Sequence, residues 1–130
     1  MALFTPDQFN SRARDFIRSQ SPVVIVSDFA ISEFSSAVAR LFRMNLFTKA
    51  DARLVFSNFD GWVGRESQQV TTQSGDIAAA SALVRRFELG LRTPDAINIA
   101  IAQRVGAVMV TFDAKMKVAA KALGLEVAKI

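Results

Sequence analysis

The chain of 130 residues contains no histidine, no cysteine and no tyrosine. Without histidine there is no imidazole general base, no Ser-His-Asp triad and no His-ligated metal. Without cysteine there is no thiol nucleophile, disulfide, zinc-thiolate site or iron–sulfur cluster. Chemistry is therefore left to carboxylates, hydroxyls, lysines, arginines, backbone groups or a borrowed cofactor. A resident metal would have to be held by oxygen, which suits Mg²⁺ or Mn²⁺. Long apolar runs are missing too, so nothing in the sequence reads as a bilayer span. The opening Met1-Ala2-Leu3-Phe4 meets Pro6 and Asp7 too soon for a signal peptide. The expectation is a cytoplasmic protein without membrane association.

What is present is a globular composition, 51% apolar and 22% charged. The length suits a single domain over residues 1–130. Sixteen Lys/Arg against twelve Asp/Glu give a net charge of +4, with a pI near 10.1. That balance permits approach to a polyanion without requiring it. There are no repeats, low-complexity tracts or linkers.

Helical patterns alternate with short β-branched runs. Thr5-Pro6 opens a first helix that runs to about Ser19. Residues 22–27 form a continuous apolar run, the pattern of a strand buried on both faces. Ser27 or Asp28 then caps a helix with Ile31, Phe34, Val38, Leu41 and Phe42 at helical spacing. Thr48 caps the next, with Ala52, Val55, Phe56, Phe59, Trp62 and Val63 on one face and Gly64 near its end. Residues 69–72 are a weaker strand. Ser74 or Asp76 starts a helix with Ile77, Ala80, Leu83, Val84 and Phe87 inward, stopped by Gly90. Thr93-Pro94 opens a helix carrying Ile97, Ile101 and Val105, closed by Gly106. Residues 107–112 are the clearest strand and end at Asp113. A helix over residues 114–123 and a short strand at 125–128 complete the chain. This alternation predicts an α/β fold: a central, mainly parallel sheet flanked by helices on both faces.

Sheets of this kind bind ligands beyond the carboxyl ends of their strands. Asp113 directly follows a predicted strand there, Glu33 lies in the first turns of the helix after strand 22–27, and Asp95 is the second residue of the Pro94 helix. Each has an ordinary reading as well. Asp95 suits a helix N-terminus, where a negative charge is worth roughly 0.3–1 kcal/mol. Asp113 suits a cap, and Glu33 a solvated edge of its helix. If the sheet is parallel, however, all three reach one rim. Clustered carboxylates repel unless a cation neutralises them, and a shared divalent ion would also activate water near neutral pH.

Three segments carry a family resemblance: Val26-Ser27-Asp28-Phe29-Ala30-Ile31-Ser32-Glu33-Phe34, Leu91-Arg92-Thr93-Pro94-Asp95-Ala96-Ile97-Asn98-Ile99-Ala100, and Val110-Thr111-Phe112-Asp113. Together they resemble the PIN-domain ribonucleases, and most of all the VapC toxins of bacterial toxin–antitoxin pairs. The resemblance implies a PIN-like three-layer fold. It implies an Mg²⁺- or Mn²⁺-dependent RNA endonuclease, dimerisation and inhibition by a cognate VapB-type antitoxin. By this resemblance Glu33, Asp95 and Asp113 match three of the family's four acidic metal-site positions.

The chain departs from the pattern at its start. The family's opening unit is a short apolar strand ending in Asp, central in the sheet. Here Leu3-Phe4-Thr5-Pro6-Asp7 looks like the stretch that follows that unit, and Asp7 is not assigned the missing role. Its two neighbouring strands, each about 4.8 Å from it, would be left roughly 10 Å apart. The expectation is an N-terminal truncation, with an apolar run ending in Asp encoded upstream of Met1.

Among the basic residues, Arg92, Lys115 and Lys117 lie near Asp95 and Asp113 in sequence, where a phosphate backbone would pass. Asn98, one turn beyond Asp95, suits orientation of water or phosphate. Phe29, Phe42, Phe47 and Trp62 are either core or a groove for an antitoxin helix. Two functions follow: a metal-dependent RNA endonuclease, or a catalytically inactive PIN-like module that binds an antitoxin or a dimer partner.

Overall fold

A computed structural model describes residues 10–129, and the side chains of residues 11–129. The Thr5-Pro6 helix opening and Asp7 lie outside the described residues. The chain divides into two compact units, with the boundary between Thr71 and Thr72.

In the first unit, α1 spans Asn10–Gln20 and ends where Ser21 turns left-handed, its N–H donating to the Ile17 carbonyl (3.0 Å). Strand β1 (Val24–Ser27) leads directly into α2 (Asp28–Arg43). Ser27 fixes that transition, because its hydroxyl accepts the Ala30 N–H at 2.9 Å. A turn through Asn45, with φ +59, connects α2 to α3 (Lys49–Glu66). There Thr48 and Asp51 cap reciprocally. The Thr48 hydroxyl accepts the Asp51 N–H (3.0 Å), and Asp51 Oδ2 accepts the Thr48 N–H (2.9 Å). Strand β2 (Ser67–Val70) then pairs in parallel with β1, Val24 opposite Ser67 and Ser27 opposite Val70.

The core of this unit forms where α2 meets α3. Phe34 and Val38 of α2 pack with Ala52, Phe59 and Val63 of α3, and Val26 of β1 lies against them. The Phe34 and Phe59 rings stack at a centroid distance of 3.8 Å, and Phe56 meets Phe34 edge-on at 6.4 Å. The face expected for α3 is the buried one, and Phe47 and Trp62 pack against the same cluster. Both are half-buried against it, whereas Phe42 is exposed.

Strand β1 corrects one expectation. Its cover is uneven: Val24 and Val26 are partly covered and Ser27 is buried, while Val23 is 72% and Ile25 38% exposed. Alternate strand residues point to opposite faces, and Val26 is the strand residue that packs on the α2–α3 cluster.

In the second unit, α4 (Ser74–Val84) packs along α5 (Thr93–Val105). Ala80 and Leu83 are buried on α4, and Ala96, Ile97, Ile99, Ala100, Ile101 and Ala102 are buried on α5. Such continuous burial marks a helix covered almost all the way round. A carboxylate is buried here too. Asp76, 2% exposed, accepts Arg104 Nε at 2.8 Å and Nη2 at 3.0 Å, and its Oδ2 also accepts the Gln73 N–H. This fork ties the start of α4 to the last turn of α5, and the paired carboxylate raises the Arg104 pKa further.

α4 ends six residues before Gly90. A 3₁₀ turn, Phe87–Leu89, follows, and Phe87 is exposed, contrary to the inward position expected for it. The helical spacing stops at Val84 and carries no further. Ile77, also expected inward, is 49% exposed.

The clearest predicted strand, residues 107–112, is a second correction. It makes a single parallel bridge, Met109 to Val127, with Met109 N–H on the Glu126 carbonyl and Ala128 N–H on the Met109 carbonyl, both 2.9 Å. The partner segment is extended only briefly. Gly124, at φ +79, turns the chain after α6 (Ala114–Ala122), and Leu125 N–H bonds back to Ala120. The fold class is nonetheless the expected one: mixed α/β, with six helices among the described residues and parallel strand pairing. No described helix is long and apolar enough to cross a membrane.

Replacing Phe59 by Ala is expected to destabilise the protein by about 3–5 kcal/mol, read from urea unfolding, because it empties one side of the aromatic stack. A pH effect follows from the α3 cap. Bonding from the Thr48 backbone, then from its side chain, holds the Asp51 carboxyl below its ordinary value. Its contribution is complete above the unfolded carboxylate pKa and disappears as pH falls through the lower folded one. Acid unfolding of Asp51→Asn is expected to show a shallower pH dependence than the parent.

Candidate functional site

Each candidate acid stands at or near a helix start, for a reason visible in its own segment. Asp113 terminates the extended stretch after α5 and caps α6. Its Oδ1 accepts the Met116 N–H (3.0 Å), and its own N–H donates to Thr111 Oγ1 (3.1 Å). The side chain is exposed, and Oδ2 takes no part in the capping bond.

Asp95 is the third residue of α5, one position later than expected. The helix takes in Thr93, and Arg92 occupies the cap position without a side-chain cap bond. The shift leaves Asp95, half-buried, among the first-turn N–H groups, where the helix dipole favours negative charge. Glu33 is the sixth residue of α2, half-buried and one residue before the core Phe34.

The acids are divided between the units: Glu33 in the first, Asp95 and Asp113 in the second. Within neither unit do three or more Asp or Glu side chains, among the described residues, stand close enough to hold one ion together. The donor set itself suits a hard cation. It is all oxygen, and Asp113 can cap α6 with one oxygen while offering the other.

The basic candidates of the second unit follow the same helix starts. Arg92 is exposed at the cap of α5, Lys115 is exposed and Lys117 half-buried in the first turn of α6. Asn98 is half-buried one turn beyond Asp95.

The Asp76–Arg104 fork went unread in the sequence, because its partners are 28 residues apart and nothing local marks them. Phe87, expected inward, is exposed instead. A signal existed: the run Arg85-Arg86-Phe87 sits just past the last small residues of α4.

The sequence model of the PIN domain family matches residues 1–122, a stretch that reaches the last residue of α6 and contains all three candidate acids. A search of curated proteins finds no match.

The two oxygens of Asp113 can be separated by substitution. Asp113→Ala is expected to cost about 0.5–2 kcal/mol of stability through the lost cap. Asp113→Asn keeps a capping oxygen while losing the charge, and is expected to unfold within about 0.5 kcal/mol of the parent in denaturant titrations.

Proposed function

Because the chain belongs to the PIN domain family, whose members are generally metal-dependent nucleases, we propose that it is a divalent-metal-dependent RNA endonuclease of VapC type. In this reading it is the toxin of a toxin–antitoxin pair, restrained by a cognate VapB-type antitoxin and acting as a homodimer in the cytoplasm. The family match over residues 1–122, which include Glu33, Asp95 and Asp113, supports the nuclease part of the reading, and the resemblance of the three segments around those acids supports the VapC part.

Glu33, Asp95 and Asp113 would hold Mg²⁺ or Mn²⁺ through carboxylate oxygens. When bound, such an ion supplies charge neutralisation at a phosphate and acidifies water near neutral pH. The rest falls to the chain. Arg92, Lys115 and Lys117 draw the RNA backbone toward the starts of α5 and α6. Asn98, one turn along α5 from Asp95, orients the water or a phosphate oxygen with its amide.

The second reading, a catalytically inactive PIN-like binding module, draws on one observation. Neither unit by itself gathers three carboxylates among the described residues.

RNA cleavage by the full chain, with Mn²⁺ added or chelated, separates the two. Metal-dependent cleavage is expected, reduced roughly 100-fold or more by Glu33→Gln or Asp95→Asn, because each removes charge stabilisation worth several kcal/mol. A chain that binds RNA or antitoxin but cleaves nothing with metal present supports the inactive module. Cleavage unchanged by Asp95→Asn overturns the assigned site.

A further inference from the structure

The turn joining α4 to α5 displays an aromatic ring to solvent. Phe87 is 90% exposed, more than any other large apolar side chain among the described residues. A phenylalanine left in water forgoes roughly 1.5–3 kcal/mol available from burial. The exposure is not the product of a loose loop. Arg86 N–H bonds to the Leu83 carbonyl (3.1 Å), Leu89 N–H to Arg86 (3.0 Å) and Gly90 N–H to Phe87 (3.2 Å). Arg86 Nε also meets Glu88 Oε1 at 2.9 Å. Gly90, at φ +60, takes a left-handed turn that a side chain would strain, and the next residue, Leu91, is buried and anchors the exit.

Charge flanks the ring in the chain, and one cation there is left over once Arg86 is paired with Glu88. Arg85 and Arg86 precede it, and Arg92 caps the helix that carries Asp95. Among the described residues neither Arg85 nor Arg92 is held in an ion pair. A shallow depression of about 220 Å³ between α4 and α5, floored by Ala80, Val84 and Ile97, has Arg85 and Thr93 on its polar rim. It reaches from Arg85, two residues before Phe87, to Thr93, two residues before Asp95. A protein-docking face would surround an exposed ring with more apolar surface. Here its neighbours in the chain, Arg86 and Glu88, are both charged.

We propose that Phe87 is a stacking platform for an unpaired base of single-stranded RNA, with Arg85 on the adjoining phosphate. This rests on the reading that the chain acts on RNA. Stacking on an exposed aromatic tolerates any base, whereas a nearby guanidinium contributes the salt-dependent part of binding.

The test is fluorescence anisotropy with a labelled oligoadenylate and, in parallel, an abasic oligonucleotide of equal length, chelator present to prevent cleavage. Phe87→Ala is expected to weaken oligoadenylate binding roughly 5- to 150-fold. Phe87→Trp is expected to restore it, and neither change should alter abasic binding. Arg85→Gln is expected to flatten the salt dependence by about 0.7 in log–log slope, which Phe87→Ala leaves alone. Equal binding by the parent and Phe87→Ala overturns the platform while leaving the RNA reading intact. If the parent binds neither oligonucleotide, the RNA reading fails and the platform with it. If Phe87→Ala instead changes the sedimenting mass with RNA affinity unchanged, the ring is a protein contact and the proposal is wrong.

Discussion

The first turn of a helix leaves N–H groups without partners, and at α2, α3 and α6 a side chain just before the helix supplies one. Ser27 closes β1 and caps α2, Thr48 caps α3 reciprocally with Asp51, and Asp113 ends the Met109 segment while capping α6. The directions in which the helices leave depend on those bonds. The same requirement concentrates polar oxygen at helix starts. Asp95 and Asp113 both stand there, each explained by the helix it begins.

Packing then uses these directions. Once Ser27 sends α2 off β1, Phe34 falls where it can stack on Phe59, and Val26 closes the cluster from the strand. In the second unit the comparable role is shared between small residues and charge. Alanines on α4 and α5 are buried along the helix pair, and the Asp76–Arg104 fork holds its far end. Burying that carboxylate is tolerable because two guanidinium nitrogens and a backbone N–H meet it.

Much of this was legible in the residues, because helix spacing and caps are local. The face of α3 from Ala52 to Val63, the Ser27 and Thr48 caps and the Gly106 stop were all readable. Strands were harder. The apolar run at 107–112 has strand composition, but a ladder needs a partner in register, and Leu125 is drawn back onto α6. Phe87 was misplaced because periodicity was extended past the true end of α4. Of the candidate site, the helix-start positions of Asp95 and Asp113 were recoverable to within a residue. Glu33 belongs to the other unit, and no local pattern encodes where it stands relative to them.

The uneven cover of β1 has a bearing on how the protein behaves at high concentration. Val23, just before the strand, and Ile25 within it present β-branched side chains to solvent, and no lysine or arginine interrupts residues 22–27. Short apolar strands without charge favour strand-to-strand association. A lysine at position 25 would set a charge in the middle of that run and raise the concentration at which molecules associate.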